Sequence, residues 1–231
     1  MNEYFNKKTD KDAKGQFSLP DKQKLPATPP TTATPKSMFD RWEESLEIAT
    51  EYAQWLCNIS NEQEEHVARR TLYILELLSA RWRESPEIAL CYAKGLFNLC
   101  HRQGLSASLQ TIYELSSLSD RWSESHEITM LYAKALVNLA AKQEEPAIYQ
   151  TIDQLKALRK RRYKDALTAF ETTLAYATAL ANLSCIQEDV AALQATVDEL
   201  KALKDMWLGQ FKLNLAYQKA LRNLNEKQGN G

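Results

Sequence analysis

Long apolar runs are missing from this sequence. No stretch approaches the roughly 18 consecutive apolar residues that a membrane-spanning helix needs. The first residues, MNEYFNKKTDKDAK, contain no apolar segment that could serve as a secretory signal. We therefore expect a soluble, cytoplasmic protein that does not insert into a membrane.

Residues that usually carry out catalysis or bind metals are also scarce. The cysteines form no C-x-x-C pair, so we expect small buried hydrophobic residues in a reducing compartment; they are Cys57, Cys91, Cys100 and Cys185. Nothing in their spacing suggests a metal site for the three histidines, His66, His101 and His126. A glycine-rich phosphate loop and the G-x-S-x-G and H-E-x-x-H motifs are absent. We expect neither an enzyme nor a bound cofactor or metal.

Proline is scarce except at one end of the chain. Five of the seven prolines lie in residues 1–38, a Pro/Thr-rich segment that can bury too little apolar surface to offset its ordering entropy. We expect residues 1–38 to form a disordered arm. Its few aromatic residues fit either a docking motif for another protein or an expendable tail, and they are Tyr4, Phe5 and Phe17.

The most informative feature that is present is an internal repeat. A tyrosine is followed six residues later by an asparagine and eleven residues later by a glutamine, five times. Successive tyrosines are 40, 40, 44 and 41 residues apart. Such a period is typical of stacked helical units, which present extended binding surfaces. The five sets are Tyr52/Asn58/Gln63, Tyr92/Asn98/Gln103, Tyr132/Asn138/Gln143, Tyr176/Asn182/Gln187 and Tyr217/Asn223/Gln228.

The hydrophobic pattern predicts two helices in each repeat. In the second repeat, an apolar stripe at helical spacing consists of Ile88, Tyr92, Leu96 and Leu99. Gly104 separates this stripe from a second helical stretch. The fourth repeat is longer by about one helical turn, so we expect a lengthened helix there. The predicted N-caps of the first helices are Ser45, Ser85 and Ser125. We expect a repeat domain over residues 39–231, with units at about 41–80, 81–120, 121–160, 161–205 and 206–231.

The first and last repeats differ from the others in a way that suggests capping. Three residues after each repeat tyrosine stands Trp55 and then, in turn, Gly95, Ala135, Ala179 and Ala220. Close packing on a preceding unit requires a small residue at this position. We expect the first unit to have no predecessor, so it alone can carry a large side chain there. One residue after each tyrosine the sequence has alanine, except for Gln218 in the last unit. We expect Trp55 to mark a terminal cap or an interface.

The repeat resembles the tetratricopeptide type from Arg41 to the C-terminus, although its units are about six residues longer than the usual 34. The similarity includes the small-residue positions and the Thr/Leu spacing of the second helices, Thr111/Leu115/Leu118 and Thr151/Leu155/Leu158. A HEAT-like stack of similar period is the alternative. The resemblance implies an all-α fold, a right-handed α-solenoid of about four helical hairpins plus a C-terminal capping helix. It also implies a protein-binding adaptor or scaffold.

Cations flank the repeat asparagine on its own helical face in three of the five units. In tetratricopeptide adaptors, a lysine and an asparagine four residues later hold a peptide's terminal carboxylate. The resemblance implies this role for Lys94/Asn98 and Lys134/Asn138, and we expect an acidic or C-terminal peptide on the concave face. The candidate residues are Lys94, Asn98, Arg102, Lys134, Asn138, Lys142, Asn182, Lys219 and Asn223.

These residues also have a structural interpretation. The lysines can serve solubility alone, and each asparagine can bond to a neighbouring helix and fix the stacking. For the repeat tyrosine and glutamine we expect core packing with a hydrogen-bonded hydroxyl.

Charge suggests two further functions. Residues 41–80 carry eight acidic and three basic side chains, a net of −5, and residues 206–231 carry four basic and one acidic, a net of +3. Head-to-tail assembly into a structural component is therefore the main alternative. Nucleic-acid binding is a lesser one, because the net charge of the chain is −1. It would use the basic cluster Arg159, Lys160, Arg161, Arg162 and Lys164.

Overall fold

A computed structural model of the protein describes residues 41–60, 63–161 and 165–229, and these residues form nine α-helices and no strand. The prediction of an all-α fold is confirmed. In chain order the helices are α1 (Leu46–Ser60), α2 (Glu65–Arg81), α3 (Pro86–Arg102), α4 (Leu105–Arg121), α5 (His126–Ala140), α6 (Ala147–Arg159), α7 (Ala166–Leu183), α8 (Val190–Met206) and α9 (Phe211–Gly229).

Two of the helices, α3 and α5, begin at the serines that the sequence predicts as N-caps. The hydroxyls of Ser85 and Ser125 accept hydrogen bonds from the third amide of α3 and α5, each at 3.3 Å. Pro86 occupies the first turn of α3, where its missing N–H costs nothing. Ser45 directly precedes α1, and Gly104 is the N-cap of α4. The predicted break between α3 and α4 is confirmed.

Packing follows chain order. Each helix packs against the next one, and each odd-numbered helix also packs against the next odd-numbered helix. Within the described residues, the backbones of the even-numbered helices do not approach one another. The odd-numbered helices therefore form a continuous row, and each internal even-numbered helix lies against two of its members.

The repeat tyrosines belong to the core of this arrangement. Tyr52, Tyr92, Tyr132 and Tyr176 are buried, and Tyr217 in the last helix is half-buried. Burial of these rings and of the leucines around them is the main force that holds the helices together.

The small residues lie where neighbouring helices come closest. A Cβ atom added to Gly95 would lie 3.0 Å from Leu75 Cδ1 and 3.2 Å from Leu72 Cδ1, both in α2. The equivalent Ala135, Ala179 and Ala220 are fully buried. Trp55, at this position in α1, is half-buried and stacks on Tyr52 with 6.0 Å between ring centroids.

The lengthened fourth unit adds its extra turn at the start of α7. The N-caps Ser85 and Ser125 precede their repeat tyrosines by seven residues, whereas Asp165 precedes Tyr176 by eleven. The prediction of a longer helix is confirmed. Directly after the additional turn, Phe170 packs against Trp207, with ring centroids 5.2 Å apart.

Some sequence predictions fall outside the described residues or need correction. The predicted disordered arm, residues 1–38, lies outside them, as do Arg162 and Lys164. The expectation that all four cysteines are buried is wrong for Cys185, which is exposed at the end of α7 because the helix terminates there. None of the described helices combines the length and the apolar character that crossing a bilayer requires.

Candidate binding surface

A groove runs across the row of odd-numbered helices. Its volume is about 610 Å³, and α3, α5, α7 and α9 all contribute side chains to it. Its apolar lining consists of Phe97, Met130, Val137, Leu174 and Ala175. Its polar lining consists of Asn98, His101, Arg102, Lys134, Asn138, Glu171, Thr178 and Lys212.

The polar lining carries an excess of positive charge. Arg102, Lys134 and Lys212 are exposed cations, and Glu171 is the single carboxylate among the lining residues. Within the described residues, Lys134 and Lys212 form no ion pair. The groove therefore attracts anions, and its apolar lining offers contact area to uncharged side chains.

The repeat asparagines bond across the row of odd-numbered helices. Asn98 Nδ2 donates to Ser60 Oγ at 3.2 Å, and Asn223 Nδ2 donates to Ser184 Oγ at 3.0 Å. Asn138 Nδ2 lies 3.4 Å from His101 Nδ1. Each contact joins an odd-numbered helix to the end of the preceding one, so these amides contribute to stacking.

The cation that follows each of these asparagines by four residues also contacts the preceding unit. Arg102 Nη1 donates to the main-chain oxygen of Gln63, and Lys142 Nζ donates to that of Gln103 at 3.0 Å. In the last helix, Lys227 Nζ pairs with Glu188 Oε2 at 2.9 Å. Because a charged donor to a carbonyl is a strong hydrogen bond, these cations fix one unit on the next.

A glutamine–threonine pair recurs in every unit that has two helices. Thr71 Oγ1 donates to Gln63 Oε1 at 2.6 Å, and Thr111 Oγ1 lies 2.9 Å from the Gln103 side-chain amide. The same pair occurs as Thr151 with Gln143 at 2.7 Å and as Thr196 with Gln187 at 2.9 Å. The glutamine thus holds the start of the even-numbered helix by its side chain. Sequence analysis missed these pairs, although the threonine recurs eight or nine residues after the glutamine.

Two of the repeat tyrosines bond to carboxylates of the even-numbered helices. Tyr92 Oη donates to Glu114 Oε2 at 2.7 Å, and Tyr176 Oη donates to Glu199 Oε1 at 2.6 Å. Burial and then these carboxylates raise the pKa of both phenols. Burial raises the pKa of Tyr52 to about 12. The phenols are therefore neutral donors at physiological pH, and they contribute to the core rather than to the groove.

A polar cluster joins α5 to α7 beside the groove. Thr168 Oγ1 donates to Asp165 Oδ2 at 2.6 Å and lies 2.6 Å from His126 Nδ1. The hydroxyl and amide of Thr168 lower the pKa of Asp165. His126 Nε2 lies 3.4 Å from Glu171 Oε2. The cluster orients Glu171 at the edge of the groove.

Two arginines of the basic cluster contact other parts of the protein. The guanidinium of Arg159 lies over the ring of Tyr176, 5.3 Å from its centroid. Arg161 Nη2 donates to Asp120 Oδ1 at 2.6 Å. Lys160 is exposed. Arg159 and Arg161 are thus committed to packing and pairing, which leaves less positive charge for a phosphate backbone.

The structure brings only some of the predicted binding residues together. Asn98, Arg102, Lys134 and Asn138 line the groove. The other candidates lie outside its lining, and they are Lys94, Lys142, Asn182, Lys219 and Asn223. Lys94 is exposed, and Lys219 Nζ donates to Asn182 Oδ1 at 3.4 Å.

Comparison of the chain with protein-family models, with curated proteins and with solved structures gave no match. Within the described residues, no group of histidine, cysteine, aspartate and glutamate side chains could hold a metal ion.

Proposed function

We propose that the protein is a cytoplasmic, non-enzymatic interaction adaptor that binds an acidic segment of a partner protein in the groove of the odd-numbered helices. In this proposal the chain is a tetratricopeptide-like, right-handed α-solenoid of four helical hairpins closed by α9. The packing in chain order and the continuous row of odd-numbered helices support it.

The observation that carries the proposal is the composition of the groove. An extended peptide offers alternating side chains and a polar backbone, so its site needs apolar area and hydrogen-bonding groups in one surface. The groove has both, because Phe97, Met130 and Leu174 lie among amides and cations. Four helices contribute to it, and their shared row holds it in place.

The charge of the groove favours an acidic ligand. Lys134 and Lys212 come from α5 and α9, on the two sides of the α7 residues that line the groove. An ammonium group attracts a carboxylate from either a side chain or a chain terminus. The proposed ligand therefore carries at least one carboxylate that reaches Lys134, and its apolar side chains contact Met130 and Leu174.

The proposal divides the predicted binding residues by what they contact. Lys142 bonds to the preceding unit, so it contributes to the packing of the helices that form the groove. Asn98 and Asn138 combine stacking bonds with a place in the lining. Lys134 belongs to the lining without a bond inside the described residues, so it is the residue most available to a ligand.

Peptide binding tests this proposal. The probes are fluorescein-labelled octapeptide pools enriched in aspartate, glutamate and leucine, prepared with free or amidated C-termini. We expect Lys134→Glu to weaken binding of the acidic pools about tenfold or more, because it replaces an attraction with a repulsion. Fluorescence anisotropy at dilute protein concentration measures the affinity, and loss of affinity on amidation would identify terminal-carboxylate recognition.

The matched control is Lys201→Glu, which makes the same charge change at an exposed position of α8, outside the groove lining. We expect it to leave affinity within about twofold of the parent protein, since distant surface charges are screened by salt. Equal affinity of the Lys134→Glu variant and the parent protein would contradict the proposal. Equal losses in both variants would also contradict it, because they would indicate general charge attraction.

A further inference from the structure

The start of α9 carries an exposed apolar face. Leu208 is 82% exposed, Phe211 74%, Met206 65% and Leu215 58%. They lie within ten residues of one another along the chain. Met206 is the last residue of α8, Leu208 lies between the two helices, and Phe211 and Leu215 belong to the first turns of α9. A concentration of large apolar side chains at one place on a surface is typical of a contact with another molecule.

In α5 and α7, the position equivalent to Phe211 contacts the part of the chain that follows, whereas Leu46 in α1 and Pro86 in α3 are exposed at this position. Phe170 of α7 stands six residues before its repeat tyrosine, as Phe211 does in α9, and it packs on Trp207. His126 holds this position in α5 and contacts Thr168 of α7. No helix follows α9 within the described residues. Its free face is therefore one that a further odd-numbered helix would fit.

Only half of this face is suited to water. One side of α9 carries four residues at helical spacing, which are Phe211 and Leu215 in its first half and Gln218 and Arg222 in its second half. The second pair is polar, as in a solvent-exposed cap, but the first pair is apolar. Because a face that meets only water gains nothing from two large apolar side chains, its first half is suited to a partner.

The net charges of the two ends of the chain indicate which partner fits the exposed face of α9. Lys212, Lys219 and Arg222 belong to the same helix as Phe211 and Leu215, and residues 206–231 have a net charge of +3 from four basic and one acidic residue. Two such ends repel each other, which disfavours a tail-to-tail dimer. Residues 41–80 have a net charge of −5 from eight acidic and three basic residues. Their exposed Glu43 and Glu47 form no ion pair within the described residues.

The shape of α1 also matches the free side of α9. Internal odd-numbered helices carry glycine or alanine where α1 carries Trp55, since an even-numbered helix of the preceding unit presses on that position. Within the described residues no even-numbered helix follows α9, so a large ring has room beside it. Trp42 precedes its repeat tyrosine by ten residues, as Trp207 does, and would cover Phe211 as Trp207 covers Phe170.

We propose that chains associate head to tail, with α1 of one copy packed against the first half of α9 of another. The interaction surface consists of Leu208, Phe211 and Leu215 with the cations beside them, and it receives Trp42, Trp55 and the acidic residues of α1. Such a contact joins two different surfaces, so it leaves a free end on each side and builds open chains rather than closed dimers. Salt weakens it by screening the attraction between the two ends.

Sedimentation velocity of the full chain tests this inference. At low salt we expect the weight-average mass to rise from that of one 26.4-kDa chain to at least twice that value by about 1 mM protein. Phe211→Glu should keep the protein monomeric, because it buries a carboxylate against an acidic surface. The control is Tyr113→Glu in α4, where the side chain is 72% exposed, and it should associate like the parent. A monomer at every concentration would overturn the inference.

A charge exchange distinguishes head-to-tail from tail-to-tail contact. Glu47→Lys and Lys212→Glu should each reduce association about tenfold, because each places like charges across the joint. Their equimolar mixture should recover it, since every head then finds a tail of opposite charge. Stronger association of Lys212→Glu alone would instead indicate tail-to-tail pairing and reject the inference. Peptide binding by the groove is measured at dilute concentration, so either proposal can fail independently of the other.

Discussion

Gln103 is an example of one residue that holds three helices together. It follows α3, its side-chain amide bonds to Thr111 of α4, and its main-chain oxygen accepts from Lys142, which follows α5. The Gln103 side chain is buried, so its amide requires a partner inside the protein. The side-chain bond to threonine explains why a glutamine recurs at this position although it is not apolar.

We expect Thr111→Val to destabilise the protein by about 1–3 kcal/mol, because valine keeps the shape of threonine but leaves the buried amide of Gln103 without its partner. Urea denaturation followed by circular dichroism measures the change. The control is Thr50→Val, whose hydroxyl bonds to the carbonyl of Leu46 in its own helix, at 2.8 Å. The control should change stability by less than about 0.5 kcal/mol. Similar losses in both variants would show that the glutamine–threonine pair has no special role.

At the scale of the helix, packing depends on one position that must be small. Gly95 lies against Leu72 and Leu75 of α2, whereas Trp55 occupies the same position in α1, where the described residues place no helix before it. The same helical pattern therefore accepts opposite side chains at the end and in the middle of the row.

We expect Gly95→Leu to cost about 1–3 kcal/mol or more, because the new side chain has to displace Leu75, which is fully buried. Thermal and urea unfolding measure this loss. Gly104→Ala is the control, since an added Cβ there meets no atom within 4 Å. Its effect should be smaller, about 0.5–1 kcal/mol, because alanine is a poorer N-cap residue than glycine. A neutral Gly95→Leu variant would contradict the close approach of α2 and α3.

The sequence predicted the helices better than the contacts between them. Helical periodicity and capping serines act over a few residues, so the start of α3 at Pro86 and the break at Gly104 follow from local chemistry. The hydrogen-bond partner of Lys142 does not follow from local chemistry, because it depends on the offset between α5 and the end of α3. The groove was missed in part for the same reason. Lys212 and Glu171 break the repeat pattern, yet packing places them in one lining with Lys134.

At the scale of the whole row, stability depends on how many sides of a helix are covered. Among the described helices, α3 packs on α1, α2, α4 and α5, whereas α9 packs on α7 and α8. In a linear stack, each unit receives its stability from its neighbours. Central helices should therefore open less readily than terminal ones.

Hydrogen exchange measured by mass spectrometry checks this expectation. At dilute protein concentration, amides in the middle of α3 and α5 should exchange at least about tenfold more slowly than those in the middle of α9, since local opening of the last helix breaks fewer contacts. Under the same conditions, Leu224, buried in α9, should exchange faster than Leu136, buried in α5. Uniform protection along the chain would show that the row unfolds as one unit.

The separation of the even-numbered helices has a mechanical consequence. Adjacent helix pairs share backbone contacts along the odd-numbered row, whereas neighbouring even-numbered helices meet through side chains, as in the pair of Lys156 and Glu199 at 3.5 Å. A small rotation of one pair relative to the next therefore meets more resistance on the odd-numbered side than on the even-numbered side. We expect the row of odd-numbered helices to bend elastically by such rotations. The row should stiffen when a bound segment spans α3, α5 and α7, because the segment then links the helices that resist the rotation.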